Sequence, residues 1–159
     1  MLIQQMIDSA GLPYRVVNAG VSGETSSGLL RRVDWLLQQE LAVVVIETGA
    51  NDGLRGVPVN AMKDNLRQII RRIRAAKPDV AIALIQMEAM PNMGAIYTNG
   101  FRAAFPALAR EENVRLLPFL LDGVAGVREL NQGDGIHPNE EGERIVAQNV
   151  WRALKPMLR

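Results

Sequence analysis

Apolar positions along the chain follow two rhythms that alternate, one of helical spacing and one of short unbroken runs. Residues 2–10 have helical spacing, with Gly11 as a stop signal and Pro13 just beyond it. Tyr14-Arg15-Val16-Val17 is a short β-type run. After a loop rich in Gly, Ser and Thr, the positions Leu29, Leu30, Val33, Leu36 and Leu37 again recur on one helical face. The run Leu41-Ala42-Val43-Val44-Val45-Ile46 is apolar without alternation, which predicts a central parallel strand covered on both faces. Asn60 is the expected cap of a helix whose stripe is Met62, Leu66, Ile69, Ile70 and Ile73. Pro78 closes that helix, and residues 80–85 form the next buried strand. A loop with Met87, Met90, Pro91 and Met93 leads into a helix near 98–112, which Pro106 should bend or divide. Residues 114–117 are the last strand. An irregular stretch then runs to Pro138, where Asn139 caps a terminal helix built on Ile145, Val146, Val150 and Leu154.

This αβαβαβαβα order predicts one α/β domain over residues 1–159, with helices against a parallel sheet and right-handed crossovers. Ligands of such sheets bind beyond the carboxyl ends of the strands, so the loops at 18–27, 48–57, 86–96 and 118–138 are where chemistry belongs.

Composition narrows the chemistry. Eighteen basic residues against seventeen acidic give a net charge of +1, too balanced for a nucleic-acid partner. Arg67, Arg71 and Arg74 share a helix face that is expected to be solvated. Without cysteine there is no disulfide or thiolate chemistry, and one histidine with scattered carboxylates predicts no metal site. No apolar run approaches the roughly 18 residues of a membrane span, and the first residues lack the basic region of a signal peptide, so the chain as written carries no address. Gly20-Val21-Ser22-Gly23 lacks the full Gly-x-Gly-x-x-Gly pattern of a dinucleotide site.

The sole histidine, His137, stands in Asp134-Gly135-Ile136-His137-Pro138-Asn139. Histidine is the usual general base near neutral pH. Asp134, three residues upstream, can accept the Nδ1–H, fix the tautomer and leave Nε2 facing a cleft. Asn51, in Gly49-Ala50-Asn51-Asp52-Gly53, can donate its side-chain amide to a developing oxyanion, and the Gly23 amide can be a second donor. Taken alone, each motif favours a local reading: a capping Asp beside a surface histidine, an Asx turn, a flexible entry to a helix. The methionines at 87, 90 and 93 can line an acyl pocket or pack the loop.

Three blocks in order change that balance. Residues 17–25 (Val-Asn-Ala-Gly-Val-Ser-Gly-Glu-Thr), 47–56 (Glu-Thr-Gly-Ala-Asn-Asp-Gly-Leu-Arg-Gly) and 134–139 resemble the second, third and fifth blocks of the SGNH (GDSL-type) hydrolase family. Within the family, the chain looks most like the bacterial arylesterase, acyl-CoA thioesterase I and lysophospholipase group. The resemblance spans nearly the whole chain, including Leu116-Leu117-Pro118-Phe119-Leu120. It implies a flavodoxin-like three-layer α/β/α sandwich and serine acyl transfer from small or medium esters or thioesters to water, with no metal or organic cofactor. It also implies that Gly23 and Asn51 form the oxyanion hole, His137 is the base and Asp134 its orienting acid.

The family's opening strand, ending in Gly-Asp-Ser-Leu and carrying the nucleophile, has no counterpart here. Ser9 falls on a helix, Ser26 and Ser27 look like capping residues, and nothing makes Ser22 a nucleophile. By resemblance the absent strand lies between those at 14–17 and 42–47, where its loss leaves unpaired backbone. The expectation is therefore an N-terminally incomplete hydrolase domain, with any export signal lying upstream. Homo-oligomers or strand exchange remain open. The alternatives are a catalytically inactive SGNH-like binding or scaffold protein and, further off, a flavodoxin or receiver-type module.

Overall fold

The most regular apolar stripe in the sequence becomes the centre of a core. In a computed structural model describing residues 1–158, the elements are α1 (Leu2–Ser9), α2 (Ser26–Leu36), β1 (Val43–Ile46), α3 (Ala50–Leu54), α4 (Val59–Ala76), β2 (Ala81–Ile85), α5 (Ala95–Glu111), β3 (Arg115–Leu117) and α6 (Glu140–Leu154). Two compact units result: Ala19–Leu116, and Met1–Asn18 together with Leu117–Leu158.

In the first unit, Met62, Leu66, Ile69, Ile70 and Ile73 of α4 are all at most 1% exposed. They pack between α2, which contributes Val33, and α5, which contributes Phe101, Phe105 and Leu108. Each such side chain contributes about 1.5–3 kcal/mol by leaving water. The parallel sheet has the order β1-β2-β3, with Val43 opposite Ala81 and Ile46 opposite Leu84. β2 is thus the central strand and is buried from Ile82 to Ile85. β1 was expected to be central; it is an edge strand, and only its last residue, Ile46, is buried.

Among the described residues no strand pairs with the other side of β1. A further correction concerns the second unit. Residues 14–17, expected to be a strand, have no regular structure. The Val16 N–H donates to Gln4 Oε1 at 2.6 Å, and Gln4 Nε2 donates to the Tyr14 carbonyl at 3.0 Å. One side chain of α1 thus makes the bonds that a neighbouring strand makes in a ladder. Elsewhere in this unit α1 packs against α6. Asn139 caps α6 as the sequence predicts, its Oδ1 accepting from the N–H groups of Glu141 and Gly142, each at 3.1 Å. Glu140, Glu141 and Glu143 complement the positive end of the helix.

One local expectation is corrected and two are sharpened. α4 begins at Val59 after Pro58, so Asn60 lies inside its first turn: proline's fixed φ already sets the entry. Pro106 sits within α5 without dividing it. The Arg102 carbonyl, which proline cannot bond, accepts instead from Gln86 Nε2 at 3.2 Å. The arginine face of α4 is an ion-pair surface: Arg67 meets Glu111 at 2.9 Å, Arg71 meets the buried Glu112 at 2.8 Å, and Arg74 donates to the Glu112 carbonyl at 2.5 Å. Among the described residues no helix is long and apolar enough to cross a membrane.

Candidate active site

The loop 130–139 is shaped by its own backbone. Gln132 N–H donates to the His137 carbonyl at 2.7 Å, Asn139 N–H to the Leu130 carbonyl at 2.9 Å, and Asn131 and Pro138 form an antiparallel bridge. The ends of the loop are thereby closed, and Asp134 to His137 form its tip. There the Asp134 carboxylate is fully engaged. Oδ1 accepts from the N–H groups of Ile136 and His137 at 2.9 and 3.0 Å, and Oδ2 meets His137 Nδ1 at 2.6 Å. The backbone N–H of His137, then its ring, then the Ile136 N–H hold the Asp134 carboxyl far below the usual carboxylate range. An ionised Asp134 makes Nδ1 the protonated ring nitrogen and Nε2 the lone-pair nitrogen. The imidazole is largely exposed.

Close behind the loop, α6 approaches so tightly that a Cβ on Gly142 would lie 2.2 Å from the Leu130 carbonyl oxygen. Asn131, buried beside it, donates to the carbonyls of Val124 and Val127 at 2.7 Å each.

In the other unit, the loop 19–25 and the short helix α3 are brought together. Gly23 is exposed at φ 74°, in a turn closed by Glu24 N–H on the Val21 carbonyl at 3.1 Å; only glycine holds that backbone without strain. Asn51 Nδ2 donates to the Glu24 carbonyl at 3.1 Å, placing its carboxamide beside the residue that follows Gly23. Arg55 Nη2 donates to the Gly23 carbonyl at 2.9 Å. Arg32 binds the Glu24 carboxylate through Nε at 2.7 Å and Nη2 at 2.5 Å, and also reaches the Ala19 carbonyl at 2.7 Å. Ser26 is no cap: it is wholly buried and bonded to the Asp52 carboxylate. Thr25 takes the N-cap position of α2 without a side-chain cap bond.

Motif reading passed over Asp52, Arg55 and Arg32, the residues that hold this loop. Their only sequence signal was position: Asp52 and Arg55 stand in the same block as Asn51. Nearby, burial and then the charge of Asp52 raise the Tyr97 phenol pKa, and its hydroxyl donates to the Val57 carbonyl at 2.8 Å. Glu47 keeps part of its surface in water, yet protein packed around the carboxyl desolvates it and raises its pKa. Of the three methionines, Met87 is in the core, while Met93 lies over Gly56 and Met90 is partly exposed. Among the described residues, no three His, Cys, Asp or Glu side chains are grouped to hold a metal.

The parallel sheet with its helices defines an α/β fold, and solved structures share it. Residues 2–145 match the model of the GDSL-like Lipase/Acylhydrolase family. Esterase TesA of Pseudomonas aeruginosa is 42% identical over 158 residues, covering 99% of this chain and 78% of that protein. Thioesterase 1/protease 1/lysophospholipase L1 of Escherichia coli K12 is 38% identical over 144 residues, covering 90% of this chain and 68% of its own. The crystal structure of TesA superposes with a TM-score of 0.92 at 41% identity, over 99% of this chain and 87% of that one. The chain belongs to the GDSL-like lipase/acylhydrolase family, as the three sequence blocks led us to expect. Its relatives are ester and thioester hydrolases.

Proposed function

We propose that this chain carries the base, the orienting acid and two oxyanion donors of a serine hydrolase acting on small-molecule carboxylic esters or thioesters. The observation that carries the proposal is the 2.6 Å contact between His137 Nδ1 and an Asp134 carboxylate already clamped by two backbone N–H groups. In this reading His137 Nε2 takes the proton of a serine hydroxyl as its oxygen bonds to the acyl carbon. The carbonyl electrons move to oxygen, where the Gly23 N–H and the second Asn51 N–H receive the charge. The tetrahedral species collapses, and the imidazolium gives its proton to the leaving alcohol or thiol. Water then repeats the cycle on the acyl-serine.

No serine of the 159 residues stands in a Gly-Asp-Ser-Leu setting, and none is assigned as the nucleophile. Ser9 is engaged by the Gln5 carbonyl, Ser26 is buried on Asp52, and Ser27 pairs with Thr25. A fluorophosphonate probe followed by peptide mapping is expected to label no serine of this chain. Fusing a strand ending in Gly-Asp-Ser-Leu ahead of Met1 is expected to give turnover of p-nitrophenyl butyrate that its Ser→Ala form lacks. An inert fusion would remove the hydrolase reading and leave acyl-ligand binding without turnover. The edge of β1 also makes strand exchange between copies part of the proposal, with sedimentation velocity as its check.

A further inference from the structure

We propose that Asp52 is a positioning residue that holds the two oxyanion donors in one arrangement; the inference rests on the donor roles proposed for Gly23 and Asn51. Asp52 is 1% exposed, and both its oxygens serve one residue. Oδ1 accepts from Ser26 Oγ at 2.6 Å and Oδ2 from the Ser26 N–H at 2.8 Å. Ser26 Oγ in turn accepts from Asn65 Nδ2 at 3.0 Å. The carboxylate therefore does the capping that Thr25 does not, and it places a negative charge at the positive end of α2.

The position of this cap matters more than its strength. Ser26 begins α2 immediately after the loop that carries Gly23, while Asp52 follows Asn51 in α3. Three residues of α3 and its end thus grip the loop and the start of α2: Arg55 the Gly23 carbonyl, Asn51 the Glu24 carbonyl, Asp52 the Ser26 N–H and hydroxyl. A carboxamide is planar, so fixing one Asn51 N–H on Glu24 fixes the direction of the other. If the start of α2 shifts against α3, the Gly23 amide and the Asn51 amide lose register together. A buried carboxylate is costly when only packing is needed, since apolar residues of similar volume usually stabilise such a site as well or better. Its presence here matches a demand for direction.

The test uses Asp52→Asn, which keeps the shape but can no longer accept both Ser26 hydrogens. In the 159-residue chain, 15N NMR should show the Asn51 side-chain amide and the Gly23 amide shifting, with faster hydrogen exchange at Asn51. In the Gly-Asp-Ser-Leu fusion, kcat should fall about 10–100-fold with KM within about twofold, as for a weakened oxyanion hole. Leu154→Ala, a core truncation in α6, is the control: at a matched loss of Tm it should leave kcat and both amides unchanged. Asp52→Asn spectra that match the wild type at both amides would overturn the proposal, as would a kcat loss no larger than the control's. If Asp52→Asn does not fold, Ser26→Ala replaces it, removing the hydroxyl's bonds to Asp52 and Asn65 and leaving the carboxylate and the Ser26 N–H; unshifted amides there overturn the proposal equally. If the fusion is inactive before any substitution, the hydrolase reading has failed, and the amide spectra of the unfused chain alone decide the role of Asp52.

Discussion

The two loops that carry the candidate chemistry are held in opposite ways. The loop 130–139 holds itself: Asp134 is bonded to residues two and three positions away, and the pair is exposed. The loop 19–25 is held from outside itself, by Arg32 and by Asn51 and Arg55, which lie 27 and 32 positions beyond their partners, while the almost unexposed Asp52 fixes Ser26 at its end. Each arrangement suits the role proposed for it. A base must exchange protons and turn slightly as substrate and product pass, and a short exposed loop permits that. Oxyanion donors act only where the charge develops, so they gain from a fixed scaffold, and here the buried part of that scaffold is Asp52 and Ser26.

The contrast can be sharpened by experiment, beginning with its largest consequence. In the Gly-Asp-Ser-Leu fusion, His137→Ala should lower kcat by about 10⁴-fold or more while leaving thermal unfolding nearly unchanged, because the exposed ring supports nothing but Asp134. A large loss of Tm would show that the loop depends on its histidine. Next, Gly142→Ala should destabilise the protein by about 1–3 kcal/mol, because the new methyl meets a backbone carbonyl that cannot step aside. Differential scanning calorimetry measures it, and an unchanged Tm would mean that α6 can retreat from Leu130 freely.

The smallest effect is a dependence on acid. Asp134 has a folded pKa below its unfolded one, so the stability it contributes is present above about pH 4, the ordinary aspartate value, and is lost as pH falls through the folded pKa. Asp134→Asn should flatten this part of an acid titration followed by circular dichroism. An identical titration in the two proteins would mean that the clamp forms in the unfolded chain as well.

What could be read in the residues follows the same division. The α4 stripe, the Asn139 cap and the Asp134–His137 spacing are local patterns, and all three appear in the structure where expected. The family, too, was legible, because its blocks are short and ordered. Partnerships across the chain were not. The arginines of α4 read as a solvated face, and their partners Glu111 and Glu112, at the end of α5, could not be seen. Ser26 looks like a cap until Asp52 claims it. The run 41–46 has the composition of a central strand, but centrality belongs to the sheet, and nothing within six residues reveals how many neighbours they will have. Asn60 failed for a smaller reason: Pro58, two residues earlier, had already set the helix entry.

Gln4 gives the segment 14–16 an unusual attachment, a single side chain clasping a donor and an acceptor two residues apart. A rung made this way opens by rotamer hopping, far faster than a sheet unzips. The Val16 amide should therefore show little protection from deuterium exchange, and a substitution at position 4 should bring it close to the rate of an open amide.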